Sequence, residues 1–372
     1  MGETAEARTA VVVPSLNPTD RLTDTVDGLL RAGFTQIVLV DDGSRPETGG
    51  YFEVAASRPG VTLLRHEVNR GKGAAMKTAF SWLLEHRPGC AGVVTVDGDG
   101  QHHPEDAAAC AGWMVEEGKL ILGCRDFSRD GVPPRSRMGN RITCGVFRIF
   151  CGLPVSDTQT GLRAIPMEYL PRLTAVAGER YEYETNMLLA LKDLDIPWGE
   201  VKIRTIYLDE NRESHFHAVR DSWRIYKLIL ARFFRYTLSS LLCAVVDAWL
   251  FALLSSVLEW RLWGMAHTAA AAGGARLVSS LLNFALNRSL VFRFTGRSVQ
   301  ALVRYYILVI VQYLAQVGLT QGLFQLLHIQ REYSTVRHTV IYVIVMMALF
   351  VASYVIQRRW VFARKDRKEE ST

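Results

Sequence analysis

The stretch VVTVDGDGQHHPED, residues 93–106, runs from a short β-forming segment straight into two aspartates one residue apart, Asp97 and Asp99, then Gln101, two histidines and Pro104. A chain that has just built a buried strand places carboxylates at its exit for something other than packing. Upstream, three more apolar runs end in the same way: TAVVVPSL (9–16) leads into NPTD, TQIVLVDD (35–42) into GSRPE, and GVTLLRHE (60–67) into NRGKG. With AGVVTVDG (91–98) these are continuous rather than alternating apolar runs, the pattern of strands covered on both faces. The intervening segments 20–33 and 71–86 carry apolar residues at helical spacing, and the first ends at Gly33. Strand alternating with helix predicts an α/β fold with a mostly parallel sheet, whose ligands sit beyond the carboxyl ends of the strands. Polar groups from four loops therefore converge on one rim.

Two carboxylates one residue apart can share one Mg²⁺ or Mn²⁺ ion, with Gln101 adding a neutral oxygen, and such hard cations are commonly completed by substrate phosphates. A D-x-D pair alone also marks an ordinary turn, and His102 and His103 read as turn residues. NRGKG lacks the G-x-x-x-x-G-K-[ST] frame, which excludes a P-loop ATPase.

At 372 residues and 49% hydrophobic content the chain divides unevenly: only beyond Leu238 do apolar runs approach the ~20 residues that cross a bilayer. The start, MGETAEARTA, has neither the basic nor the apolar part of a signal peptide and fails the myristoylation pattern at Glu6. Six cysteines in no C-x-x-C pair fit packed, reduced thiols. Much of the net charge of +6 flanks the apolar runs, which suits a membrane and not nucleic acid.

In the order VVVPSLNP, VDDGS, NRGKGAAMKTAF, VDGDGQHHPED, GCRD, RSRMGNRIT, SDTQTGLRAIP and YEYETNMLL, the front half resembles the family-2 glycosyltransferases of the GT-A fold, in the branch of dolichol-phosphate mannose synthase and bacterial polyprenyl-phosphate glycosyltransferases. The resemblance implies that Asp42, with Asp41 beside it, contacts the donor nucleotide, that Pro14 and Asn17 lie on the loop lining the base, and that Lys72, Asp97 and Gly98 also face the donor. It implies Asp97, Asp99 and Gln101 as the metal motif. It likewise implies Asp97, Asp99, Arg125 and Asp157 as the catalytic set, and Arg125, Arg135, Arg137, Arg141, Gln159 and Arg163 on the acceptor-phosphate side. Gly100 departs from the bulkier residue of many relatives and leaves the donor sugar open. Independently, Arg125, Arg129, Arg135, Arg137 and Arg141 put five guanidinium groups within seventeen positions, a composition suited to bidentate phosphate contacts or to a basic surface facing anionic lipid. A lipid phosphomonoester with a second pKa near 6 is already an anionic nucleophile, so no general base is required. Glu182 and Glu184 are open between sugar contacts and capping the helix that follows.

The domains expected are 1–211 catalytic, 212–236 an amphipathic juxtamembrane segment, 237–363 an all-α membrane domain with spans at 237–258, 267–290, 302–327 and 336–357, and 364–372 a basic tail. Basic residues concentrate before the first span, between the second and third and after the fourth, which places both termini and the catalytic domain in the cytosol. FRYTLSSLL and VRYYILVIV align at an offset of 69, and NRSLVF and QRRWVF at 70, making a duplicated two-span unit. The S-x-x-x-N-R-x-x-V-F pattern resembles the GtrA-like membrane family. QRRW falls one residue short of the Q-x-x-R-W of processive synthases and reads as an interfacial anchor. Asp247 inside the first span is open between lipid handling and packing with Arg276.

The implied activity is metal-dependent, inverting transfer of one sugar from GDP-mannose or a UDP-hexose to polyprenyl or dolichyl phosphate at the cytosolic membrane face. The alternatives are a lipid-linked-sugar flippase or assembly protein with a nucleotide-sensing front domain and, behind it, a processive polysaccharide synthase. A homo-oligomer is compatible with the sequence.

Overall fold

The computed structural model describes residues 3–127, 134–204, 218–258, 265–294, 296–326 and 335–363. It divides into two units, residues 1–229 and 230–372.

In the first unit the elements run β1 (Thr9–Ser15), α1 (Arg21–Arg31), β2 (Gln36–Asp41), α2 (Gly49–Ala56), β3 (Val61–Arg65), α3 (Lys72–His86), β4 (Gly92–Thr95), α4 (Pro104–Glu117), β5 (Leu120–Arg125), α5 (Pro134–Val146), β6 (Arg163–Pro166), α6 (Leu170–Thr174), α7 (Glu182–Asp193) and β7 (Trp198–Ile203). The strands form one sheet in the order β3-β2-β1-β4-β6-β5-β7, and only β6 runs antiparallel to its neighbours. Alternate residues feed two apolar layers: Ala10 and Val12 of β1 pack with Met76 and Phe80 of α3, while Val11 and Val13 pack with Leu22 and Val26 of α1. This two-sided cover is why the central runs are apolar without alternation. The third run is the exception. β3 is the sheet's edge and only half-buried, because its strand neighbour on one side is missing.

The reversed direction of β6 matters for function. Its start lies beside the ends of β4 and β5, so residues 157–162, which precede β6, reach the rim that follows the other strands.

α8 (Ala218–Leu258) is one continuous helix of 41 residues, of which residues 230–258 belong to the second unit. The juxtamembrane segment and the first span therefore have no break between them over the described residues; residues 205–217, the start of that segment among them, and the 364–372 tail lie outside those. Then follow α9 (Met265–Leu286), α10 (Ser298–Leu326) and α11 (Thr335–Ile356). Among the described residues three helical stretches are long and apolar enough to cross a membrane, Phe233–Val257, Ser298–Leu326 and Arg337–Val361. α9, the expected second span, is helical over Met265–Leu286. Exposed Leu238, Leu241, Val245, Ile310, Leu314 and Ile344 give these helices the outward apolar surface that lipid requires.

The duplicated motif has a structural counterpart. α9 and α11 each end in a π-helical turn, Asn287–Val291 and Gln357–Val361, closed by a bond from Phe292 N–H to the Asn287 carbonyl (2.8 Å) and from Phe362 N–H to the Gln357 carbonyl (2.7 Å). The two side-chain amides meet: Asn287 Nδ2 donates to Gln357 Oε1 at 3.1 Å and to Asn283 Oδ1 at 2.7 Å, Ser239 Oγ donates to Asn287 Oδ1 at 2.8 Å, and Gln357 Nε2 donates to the Tyr236 hydroxyl at 3.3 Å. Asp247 accepts from Ser279 Oγ at 2.6 Å and lies 3.5 Å from Arg276, which joins α8 to α9.

Candidate active site

β4 stops at Thr95, one residue before the apolar run ends at Val96, whose N–H is held by the Val12 carbonyl. Asp97 thereby leaves the sheet. Its Oδ1 lies 2.7 Å from Lys72 Nζ, and the same ammonium lies 3.0 Å from Glu184 Oε1. His102 Nε2 approaches the other oxygen at 3.5 Å. Lys72 opens α3 directly after Gly71, whose φ of 103° lies in the region that favours glycine. Glu184 sits in the first turn of α7. Burial alone would lower the Lys72 pKa, but Asp97 and then Glu184 outweigh it and hold the ammonium charged. Burial would likewise raise Asp97, and Lys72 and His102 overcome it and keep the carboxylate ionised.

Asp99 follows on a turn and accepts the Gln101 N–H at 3.0 Å. Its pKa is raised, by burial first and by the charge of Asp97 second. An ionised Asp97 whose charge reaches the next-but-one carboxylate is a place for a cation. Among the described residues no group of three or more His, Cys, Asp or Glu forms a protein-only metal cluster. The donor set thus fits a hard divalent ion that takes its remaining ligands from water and substrate phosphate. The floor beneath is tight: a Cβ on Gly161 would stand 2.6 Å from Asp97 Oδ2.

On the other side of the rim Arg125, the last residue of β5, is gripped by Asp157, with Nε donating to Oδ2 at 2.7 Å and an Nη to Oδ1 at 3.1 Å. Asp157 is 0% exposed and takes a further N–H from Gln159. Its neighbour Ser156 is clamped by Glu200 of β7 through both N–H and Oγ at 2.7 Å, and the Ser156 carbonyl accepts from Asn140 Nδ2 of α5 at 2.8 Å. Arg125 is thereby pre-oriented by a fork-to-fork pair.

Residues 10–172 match the family model described as glycosyl transferase family 2, and residues 235–362 match the GtrA/DPMS transmembrane domain. Over 229 residues the chain is 31% identical to an uncharacterised protein of Methanocaldococcus jannaschii, covering 60% of this chain and 92% of that one. The chain belongs to glycosyl transferase family 2. This glycosyltransferase is also 27% identical over 242 residues to the UDP-N-acetylglucosamine–dolichyl-phosphate N-acetylglucosaminyltransferase of Methanococcus voltae, covering 60% of this chain and 95% of the relative. It is 29% identical over 188 residues to the polyprenol monophosphomannose synthase of Mycolicibacterium smegmatis, with 48% and 70% covered.

Within this glycosyltransferase the residues expected from motifs divide into three groups. Lys72, Asp97, Gly98, Asp99, Gln101 and Arg125 lie at or beside the ends of their strands on the rim. Asn17, at φ 50°, accepts from Arg45 N–H at 2.8 Å and ties the loop after β1 to the loop after β2. Asp41 likewise accepts the Ser44 N–H.

A second group is buried. Pro14 lies inside β1, paired with Val40, and not on a loop. Asp42 is 3% exposed and is held by Arg70 N–H, Gly71 N–H and His66 Nδ1, so that it shapes the NRGKG loop. Arg163 is 1% exposed, its guanidinium caged by the carbonyls of Thr160 and Glu184, which makes it a strut under the 157–162 loop and not a phosphate ligand. Asp157, 0% exposed, meets the rim through its bonds to Arg125 and Gln159.

The third group is on α5, where Arg137 and Arg141 are exposed one turn apart. Arg129 and the side chain of Arg135 lie outside the described residues. Glu184, open in the sequence between a sugar contact and a helix cap, is the partner of Lys72, while His66, His102, Gly161 and Glu200 were not read as site residues. Only Gly161, in the GLR of SDTQTGLRAIP, carried a signal: a glycine where a carboxylate packs against the backbone.

Proposed function

We propose that this chain transfers a single sugar from a nucleotide-diphosphate sugar to the phosphate of a polyprenyl lipid at a membrane surface, with inversion at the anomeric carbon. The observation that carries the reading is the paired carboxylates Asp97 and Asp99 across the rim from a pre-oriented Arg125, in a family-2 domain continuous with a GtrA/DPMS membrane domain. The two relatives named for dolichyl-phosphate and polyprenol transfer support the lipid acceptor.

A divalent cation held by Asp97, Asp99 and Gln101 would supply Lewis-acid stabilisation of the departing diphosphate. The chain's own groups do the rest. Lys72, at the mouth of α3, adds positive charge beside the same phosphates. Arg125 presents the lipid phosphate with the fixed geometry that Asp157 imposes, and Arg137 and Arg141 supply the basic approach. The lipid phosphate oxygen forms the new bond to the anomeric carbon as the sugar–diphosphate bond breaks, and the electron pair leaves with the nucleoside diphosphate. An anion that is its own nucleophile needs no proton removed. We place the catalytic region (1–211), the membrane domain (237–363) and both termini as above, with the catalytic face cytosolic, and read the donor as GDP-mannose or a UDP-hexose.

The test is direct. Purified full-length chain in lipid nanodiscs, given Mg²⁺ or Mn²⁺, polyprenyl phosphate and radiolabelled GDP- or UDP-sugars, should yield an alkali-stable, butanol-extractable sugar lipid and one nucleoside diphosphate per sugar. No labelled lipid with any GDP- or UDP-hexose would overturn the reading.

A further inference from the structure

The ammonium of Lys72 lies where a cation belongs. It is 2.7 Å from Asp97 Oδ1 and 3.0 Å from Glu184 Oε1, with 17% of its side chain exposed, and the second oxygen of Asp97 is hemmed by His102 and the backbone of Gly161. One oxygen of the dyad's inner carboxylate is thus held by a fixed monovalent charge. A Mg²⁺-like ion needs carboxylate oxygens at about 2.0–2.1 Å, and an ammonium hydrogen-bonded to Oδ1 occupies one of its lone pairs and repels a dication there. Two features let Lys72 yield. A lysine is a point charge on a flexible stem, and Glu184 gives it a second anchor from which to swing without becoming an unpaired buried charge.

We propose that Lys72 is a built-in counter-cation of the acidic dyad: it neutralises Asp97 in the donor-free protein and is drawn off by the donor's diphosphate, so that divalent ion and nucleotide are taken up together and the bare ion is held weakly. Ion and nucleotide are then positively coupled, and by linkage each tightens the other by the same factor. The inference rests on the proposed nucleotide-sugar donor but needs no acceptor, no turnover and no particular sugar. Glu184 gains a definite task under it: it is the resting partner that keeps the displaced ammonium beside the phosphates.

The experiment measures Mn²⁺ binding by the loss of its free electron-paramagnetic-resonance signal, on detergent-solubilised full-length protein, with Mn²⁺ alone and with saturating GDP or UDP. Wild type should bind Mn²⁺ at least about 10-fold more tightly with one of the two nucleotides. Lys72→Met should bind Mn²⁺ alone about 10-fold more tightly than wild type and lose most of the nucleotide dependence. Lys72→Arg keeps the charge and should keep the weak binding of the bare ion. Because Lys72→Met leaves two facing carboxylates that can unsettle the fold, the Lys72→Met/Glu184→Gln double variant, in which one charge of each sign is removed, is measured beside it and should also show tightened Mn²⁺ binding. Equal Mn²⁺ affinity with and without both nucleotides in wild type, or unchanged bare-ion affinity in the two Met variants, overturns the proposal. Either result alongside intact sugar transfer to polyprenyl phosphate leaves the functional reading standing, whereas absent transfer with the coupling present sinks that reading alone.

Discussion

The two units handle polar groups in opposite ways. In the first, the sheet's interior is apolar and the carboxylates and guanidinium groups stand at strand ends, where β4 and β5 stop and the antiparallel β6 begins. In the second, the outside of the helices is apolar and the polar groups are inside, with Asn287 at 0% and Gln357 at 3% exposure. The solvent explains the inversion. Water solvates a charged rim at little cost, whereas lipid leaves a polar side chain no partner except another inside the bundle. Polarity in the first unit is available to a ligand; in the second it is already spent on the fold.

That contrast yields measurements that break it or sharpen it. The largest effect belongs to Asp99→Ala, which should cost about 10³-fold in sugar-lipid formation while leaving the thermal transition of the metal-free protein at or above that of wild type. Loss of fold in parallel with loss of activity would mean that the rim carboxylate is structural after all. Next is Asp157→Ala, which strands Arg125 beside a buried hole. It should destabilise by about 3 kcal/mol, read by chemical denaturation, in addition to lowering activity. In the membrane unit Asn287→Leu and Gln357→Leu should each cost about 1 kcal/mol of stability in detergent, with transfer per folded molecule unchanged. Their double variant should cost less than the sum, because the second substitution removes a partner already lost. Full additivity would show that the two amides do not act as a pair.

The smallest effect is a pH dependence. The folded-state pKa of Asp99 is raised by burial and by Asp97, so its contribution to stability is present in acid, below the unfolded value of about 3.9, and is lost as pH rises through the folded value. With EDTA present, Asp99→Asn should therefore melt on the order of 2 °C higher than wild type at pH 7, and the gap should close towards pH 4. A gap that widens in acid would contradict the shift.

The rim was legible because each polar loop follows an apolar run, and the period of the run alone says which end is the exit. Which of two adjacent carboxylates faces outward was not. Asp41 and Asp42 are indistinguishable in the string VDD, yet Asp42 turns under the NRGKG loop because two backbone N–H groups and His66, all distant in sequence, meet it there. Arg163 misled for the same reason: an arginine in a motif suggests phosphate, and only the tertiary cage of carbonyls shows that it is a strut. The third apolar run resembled the others although β3 is an edge, since strand order is not encoded in strand composition. In the second unit the repeat was readable from spacing, and the helix expected at 267–290 is there as α9.

The paired amides restrict what the duplicated position can hold. A side chain that must face its own counterpart has to be self-complementary, offering a proton with one end and a lone pair with the other. Asn287 and Gln357 meet that demand and differ by one methylene, which sets how far each reaches. Two aspartates there would repel unless one kept its proton, and two lysines would have nothing to accept.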